Sequence, residues 1–144
     1  MIRVKKEVIK KILEEERKYP TDEYGGWVIV KGNIVVDVVF DVQSSTYGHV
    51  QFGAQSLMKL PKAKRRHVRG WFHKHPIVGL SSLDIHTIMN LTNFWGDCVS
   101  MVLQSNRDLM VLKTKLTKEF VTGRVLYTSD EHEEILVGER DERY

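Results

Sequence analysis

The chain has 144 residues, of which 42% are hydrophobic and 28% charged, and its formal net charge is +3. This length and balance are typical of one folded domain with a core, and they exclude a disordered chain. No apolar run approaches the roughly 20 residues that a membrane-spanning helix needs, which excludes an integral membrane protein of that kind. We therefore expect a single domain over residues 1–144 and no membrane partner.

Cysteine content bears on the cellular compartment and on metal binding. The chain has one cysteine, Cys98, and cannot form an internal disulfide. The first residues lack the apolar centre and the cleavage site of a secretory signal. Both observations favour a cytoplasmic protein. A cysteine-rich zinc module is excluded as well, so a metal would be held by His, Asp or Glu.

Hydrophobic periodicity predicts the secondary structure. Apolar residues at helical spacing predict an amphipathic helix over residues 3–18, which Pro20 ends. Runs of β-branched residues predict strands, whereas polar stretches with glycine predict turns and loops. In chain order, the expected segments are strands at 26–30 and 34–42, a loop at 43–53, a helix at 54–64, a strand at 66–72, a helix at 81–94, and strands at 98–103, 109–116 and 119–127.

These segments together predict the fold class. We expect an α+β domain in which a mixed, mostly antiparallel β-sheet is flanked by helices, in an α/β/α-like arrangement. The chain contains no internal repeat and no low-complexity linker that would divide it.

The segment from Gly70 to Asp84 contains the residues best suited to chemistry. In a strand, residues two apart face the same side, so His73 and His75 would share one face. Asp84 falls in the first turn of the next predicted helix, where the helix dipole favours a carboxylate. Two imidazoles and one carboxylate with a fourth position open are typical of a catalytic zinc site.

Simpler interpretations exist for each of these residues. The two histidines on a strand can be ordinary, partly exposed side chains. The sequence from Ser81 to Asp84 is a capping box, which begins many helices that have no other role. The combination of both patterns within a dozen residues is harder to explain in this way, and it leaves a metal site and the simpler interpretation equally open.

A zinc hydrolase also needs a general base that is not a metal ligand. Glu23 is a candidate, since it stands just before the Gly25–Gly26 pair and the first predicted strand. Taken alone, a Glu before a glycine pair is more often a solvated turn residue than a general base.

At this point the sequence resembles the JAB1/MPN/Mov34 metalloenzymes, the JAMM-motif proteases. Their motif is an upstream Glu, then His-x-His-Pro, a short turn and Ser-x-x-Asp, and members carry a Glu-x-x-Gly segment before the first strand. This chain has Glu23-Tyr24-Gly25-Gly26, Gly70-Trp71-Phe72-His73-Lys74-His75-Pro76 and Ser81-Ser82-Leu83-Asp84. The resemblance covers roughly residues 22–115.

The resemblance implies a fold, a cofactor and an activity. The fold would be MPN-like, related to that of cytidine deaminases. One zinc ion per chain would be bound by His73, His75 and Asp84, Glu23 would act as general base, and Ser81 would stabilise the oxyanion. The substrate would be an isopeptide or peptide bond at the C-terminal tail of a ubiquitin-like protein or its conjugates. Because the chain carries little beyond the core domain, target selection would depend on a homodimer or a partner.

The chain departs from the family pattern in one respect. Eight residues separate His75 from Asp84, whereas the family usually has about two more. The shorter turn over residues 77–80 leaves two features open: the shape of the substrate groove, and whether Ser81 or Ser82 is the oxyanion donor.

Two other functions are weighed against this one. A non-catalytic scaffold of the same fold would not need intact Glu23, His73, His75 and Asp84. A nucleic-acid-associated protein is suggested only by the basic stretch from Lys59 to Arg66, which has no interleaved aromatic residues to stack on bases. Two further side chains are expected not to act directly: His86, which would either lie on the surface or support the site without binding the metal, and Cys98, which would be buried in the core.

Overall fold

The computed structural model is an α+β fold with helices packed on a mixed β-sheet. It describes residues 2–18, 24–41, 45–46, 49–50, 57–75, 79–105, 108–118, 120–127, 134–136 and 138–142. In chain order the elements are β1 (Arg3–Lys5), α1 (Lys6–Lys18), β2 (Gly25–Lys31), β3 (Ile34–Asp41), β4 (Ser45–Thr46), β5 (His49–Val50), α2 (Lys62–Arg65), β6 (Val68–Lys74), α3 (Ser82–Trp95), β7 (Asp97–Leu103), β8 (Leu109–Thr117), β9 (Phe120–Tyr127), β10 (Glu134–Leu136) and β11 (Gly138–Glu142).

The main sheet has nine described strands in the order β10-β1-β3-β2-β6-β7-β8-β9-β11. Its neighbouring strands are antiparallel except for the pairs β1–β3 and β6–β7. The predicted mixed, mostly antiparallel sheet is therefore confirmed. The outermost strands β10 and β11 are joined through a single residue between Leu136 and Gly138, which places the two edges within about 7 Å of one another. The sheet must therefore curl.

Helices cover both faces of the sheet. Phe72 and Trp71 are adjacent on β6 and so point to opposite faces. Phe72 belongs to the core cluster that includes Val8, Ile9 and Ile12 of α1. Trp71 belongs to the cluster that contains Ile88 of α3. The helices therefore flank the sheet as predicted, and no described helix is long and apolar enough to cross a membrane.

The start of the first predicted helix is wrong. Arg3–Lys5 forms β1, with Val4 fully buried between two exposed neighbours, and the helix begins at Lys6. β1 pairs with β3 on one side and with β10 on the other. These long-range backbone hydrogen bonds outweigh the local helical periodicity, which continues only through α1.

The predicted helix over residues 54–64 is also wrong in its described part. Leu57 and Met58 are helical, but the helix is interrupted before α2 begins at Lys62. The backbone of Pro61 is extended, with φ −54° and ψ 143°. Proline has no N–H to donate and disfavours helix in the residue before it, so one helix becomes two short ones. Residues 54–56 lie outside the described residues.

Four further strands were not predicted. The expected loop over residues 43–53 contains the antiparallel pair β4–β5, while its other residues lie outside the described part. The acidic C-terminal stretch contributes β10 and β11, whose charged sequences do not alternate in hydrophobicity. Elsewhere the predicted ends agree with the structure to within about two residues, the usual spread of such boundaries.

Strands β6 and β7 approach each other very closely at Gly70. A Cβ atom added there would lie 1.7 Å from the backbone oxygen of Val99.

We expect Gly70→Ala to lower the free energy of unfolding by more than about 3 kcal/mol, since the backbone of β6 or β7 must move to make room for the methyl group. Urea denaturation measures the change. The control is Gly96→Ala, which meets no atom within 4 Å and costs only about 1–2 kcal/mol for its left-handed backbone. Equal losses in both variants would contradict the predicted clash.

Asp37 joins three elements through its carboxylate. It accepts hydrogen bonds from Lys11 Nζ of α1 at 2.8 Å and Lys64 Nζ of α2 at 3.2 Å. Burial raises the pKa of Asp37, but the two ammonium groups outweigh it, and the pKa is lowered from 3.8. The carboxylate therefore stabilises the fold above pH 3.8, and this contribution is lost as the pH falls through the lowered pKa.

We expect Asp37→Asn to lower the free energy of unfolding by about 0.5–1 kcal/mol at pH 7, because both pairs are partly exposed. The difference from wild type should shrink below pH 3.8. Urea denaturation at a series of pH values measures it, with Glu14→Gln on α1 as the control for losing one exposed negative charge. A deficit that is the same at acidic and neutral pH would contradict the assigned role of Asp37.

Candidate metal centre

Three buried polar side chains meet where β6 ends and α3 begins. His73, His75 and Asp84 are 2%, 7% and 8% exposed. One potential ligand atom of each lies within 4.8 Å of the others. The structure therefore brings together the three residues that the sequence predicts as metal ligands.

The two histidines are fixed by the centre of the sheet. His73 pairs in register with Gly25 on β2 and with Val102 on β7. The backbone N–H of His75 donates to the carbonyl oxygen of Leu103 at 2.9 Å. Both imidazoles therefore project from backbone that neighbouring strands hold in place.

The N-terminus of α3 fixes the carboxylate. The backbone N–H of Asp84 donates to Ser81 Oγ at 3.1 Å, and the backbone N–H of Ser81 donates to Asp84 Oδ2 at 2.8 Å. This reciprocal pair confirms the predicted capping box. The capping role and a metal-binding role are therefore compatible, since the cap orients the carboxylate toward the histidines.

The shortened connection between His75 and Asp84 still closes the site. Asp84 Oδ1 lies 3.3 Å from His73 Nε2, and Asp84 Oδ2 lies 3.2 Å from His75 Nε2. Within this connection, Gly79 adopts a φ of +96° and donates its N–H to Gln104 Oε1 at 2.8 Å. Residues 76–78 lie outside the described residues.

The carboxylate is ionised at neutral pH. Burial raises the pKa of Asp84, but the adjacent His73 ring and the hydrogen bond from the Ser81 backbone N–H outweigh it and lower the pKa to about 2. The site thus combines one negative charge with two imidazoles in a buried setting.

Buried atoms without partners test whether a metal fits this site. Among the described residues, both ring nitrogens of His73 and Nδ1 of His75 are buried without a hydrogen bond. Such groups are normally satisfied. For bonds of about 2.0–2.1 Å, neighbouring ligand atoms of a tetrahedral zinc ion lie about 3.3 Å apart. The two N–O separations, each to a different oxygen of Asp84, are close to that length, and one ligand atom of each residue lies within 4.8 Å of the others, so the three residues could hold one divalent metal ion.

Trp71 is a supporting residue that the sequence analysis missed. Its ring stacks on the His73 imidazole, with centroids 4.5 Å apart and an interplanar angle of 11°. The indole N–H donates to Ser100 Oγ at 2.9 Å. The position of Trp71 two residues before His73 on one strand was a usable signal, because both side chains must share a face.

Gln104 was also missed, and here no sequence signal was available. Gln104 is 8% exposed, and its side-chain oxygen accepts a hydrogen bond from the backbone N–H of Gly79. Helix α3 and strand β7 separate the two residues in the sequence. Only the parallel pairing of β6 and β7 places the residue after β7 beside the turn that follows β6.

Three other sequence expectations can be placed. Cys98 is fully buried, and this burial raises the pKa of its thiol to about 12, which fits the predicted core role. His86 is exposed on α3, as expected. Glu23, the predicted general base, lies outside the described residues, which begin on that side at Tyr24.

A search of protein-family models and a search of curated proteins both found no match to this chain. The assignment of the site therefore depends on its geometry and on the sequence motif.

We expect purified protein to bind about one zinc ion per chain, and His73→Ala to lose it, because two remaining donors bind zinc weakly. Metal analysis after dialysis measures the stoichiometry. His86→Ala removes an exposed histidine from α3 and should keep the metal. Retention of zinc by His73→Ala, or its loss from both variants, would contradict the site.

Proposed function

We propose that the protein is a zinc-dependent hydrolase that cleaves amide bonds. The observation that carries the proposal is the convergence of His73, His75 and Asp84 on one buried point, with Ser81 held beside them. The same residue types in the same order occur in the JAMM motif, which the sequence resembles. We propose an MPN-like, cytidine-deaminase-like fold on the same basis, supported by the parallel strands β6 and β7 joined through α3.

The donor set supports zinc as the metal. Two imidazoles and one carboxylate with an open position are typical of catalytic zinc. A bound zinc ion would supply Lewis acidity, which polarises a carbonyl group and makes water a better nucleophile near neutral pH.

Glu23 would supply the general base. Its carboxylate would take a proton from the attacking water and deliver it to the leaving amine. The support is its place in the chain: Tyr24 follows it directly, and the backbone of Tyr24 accepts a hydrogen bond from Lys74, between the two histidines. Gly25, the next residue, pairs with His73.

Ser81 would stabilise the oxyanion of the tetrahedral intermediate. Its Oγ accepts a hydrogen bond from the Asp84 N–H, and a hydroxyl group that accepts one hydrogen bond can also donate one, here to the oxyanion. It lies at the N-terminus of α3, where the helix dipole favours developing negative charge. We prefer Ser81 to Ser82 because Ser82 is an exposed first residue of the helix.

The substrate we propose is the C-terminal tail of a ubiquitin-like protein, or its conjugate through an isopeptide bond. An extended tail would bind by strand addition and bring its carbonyl group to the metal centre. We also propose that the protein acts in the cytoplasm, and that a homodimer or a partner selects the target.

The second candidate is a non-catalytic scaffold of the same fold. The buried, unsatisfied imidazole nitrogens argue against it, since a scaffold has no need of such a costly arrangement. A nucleic-acid-associated role has less support, because Lys64 and Arg65 of the basic stretch already contact Asp37 and Met58.

We expect Glu23→Gln to retain zinc but to lose cleavage of a linked ubiquitin-like conjugate by about 100-fold or more, since the amide cannot accept the proton. Release of the modifier, followed by gel electrophoresis, measures cleavage. Glu14→Gln, on the exposed face of α1, is the matched control and should cleave at the wild-type rate.

Two results would count against this proposal. Wild-type activity in Glu23→Gln would exclude Glu23 as the base. Wild-type protein that holds zinc but cleaves no conjugate of any candidate modifier would favour the scaffold.

A further inference from the structure

A cavity lies at the opposite end of β6 from the candidate metal centre. Its volume is about 200 Å³. Its lining includes Arg66, two residues before β6, Arg69, the second residue of β6, and Gly32 in the turn after β2. His73 and His75 come at the other end of the same strand. Because a strand rises about 3.3 Å per residue, Arg69 and His73 are about 13 Å apart along it. The cavity is therefore separate from the metal centre.

The lining of the cavity combines apolar and basic residues. Ile2, Val30 and Val99 are its buried apolar residues. Arg66, Arg69 and Lys113 contribute the positive charges.

The register of the sheet places two of these cations near one another. Gly70, which follows Arg69, lies in one row with Val99 and Lys113 across β6, β7 and β8. Since neighbouring strands lie about 4.8 Å apart, the backbones of Gly70 and Lys113 are about 10 Å apart. Arg69 and Lys113 both line the cavity, together with Arg66.

The charges of the lining favour a dianion. Among the described lining residues Asp97 is the one carboxylate, so these residues carry two net positive charges after the three cations are counted. Burial and the nearby Arg66, Lys31 and Arg69 lower the pKa of His67, so this ring is neutral at pH 7.

The three cations are not neutralised within the part of the chain that the structure describes. Arg66 Nε donates to His67 Nε2 at 3.2 Å, and Arg69 Nη1 donates to the carbonyl oxygen of Val68 at 2.8 Å; both acceptors are uncharged. The like charges of these three side chains repel one another within the cavity, and a bound anion would relieve that repulsion.

We propose that this cavity binds the phosphoryl group of a phosphorylated small molecule. Guanidinium groups match the oxygens of phosphate in pairs, and Lys113 adds a point charge. A phosphoryl dianion balances the two net positive charges, whereas a single carboxylate leaves one uncompensated. Among the lining residues that the structure describes there is no Phe, Tyr or Trp to stack on a base, which argues against single-stranded nucleic acid.

Isothermal titration of the full chain with inorganic pyrophosphate and with ADP tests this site. We expect binding to weaken tenfold or more in the double variant Arg66→Gln/Arg69→Gln, because two direct charge contacts are lost. The matched control is Lys10→Gln/Arg17→Gln, which removes two exposed charges from α1 and should bind as wild type does. Lys113→Gln provides a second, independent substitution should the double variant not fold.

The amide NMR signals of Asn33 and Lys113 locate the binding, and their movement on addition of pyrophosphate would support the cavity. Tighter binding of ADP than of pyrophosphate would identify a nucleotide as the source of the phosphoryl group, and equal binding would identify the phosphoryl group alone.

Three results would overturn the proposal. The first is the absence of binding at millimolar pyrophosphate. The second is an equal loss in the α1 control, which would show a nonspecific charge effect. The third is tighter binding of a short oligonucleotide than of ADP, together with a loss of affinity that depends only on how many positive charges a variant lacks and not on their position. This result would indicate a nucleic-acid-binding surface.

Discussion

The Asp84 carboxylate holds the candidate site together. One oxygen faces His73, and the other faces His75 while also accepting the Ser81 N–H. The capping box that begins α3 therefore sets the position of the carboxylate relative to two strand residues. A buried carboxylate in this position is stable only because cationic or hydrogen-bonding partners surround it, and a divalent metal would complete that set.

The sheet makes this arrangement rigid. β6 lies between β2 and β7, and its close contact with β7 at Gly70 leaves no room for a side chain. Trp71 then packs on His73 and is itself anchored by Ser100. The two histidine rings are therefore positioned by their strand, His73 also by its stacking on Trp71, and both by the Asp84 carboxylate at the start of α3. A preorganised metal centre requires such support.

The two sites at the ends of β6 differ in chemistry. The candidate metal centre combines two imidazoles with one carboxylate at the start of α3, whereas the cavity is lined by guanidinium and ammonium groups. They are formed by opposite ends of one strand. Substitutions at Arg66 or Arg69 therefore need not disturb His73 and His75, which lets the two proposals be tested separately.

The sequence by itself determined the local features: the strands of β-branched residues, the capping box at Ser81, and the shared face of His73 and His75, because each depends on neighbours a few residues apart. It also indicated the three ligands through their order and spacing. Tertiary structure decided what depends on distant pairing: β1 formed a strand instead of a helical turn, β10 and β11 joined the sheet, and Gln104 came to support the turn at Gly79. Backbone hydrogen bonds between remote segments leave no periodic trace in the sequence, so they could be seen only in the fold.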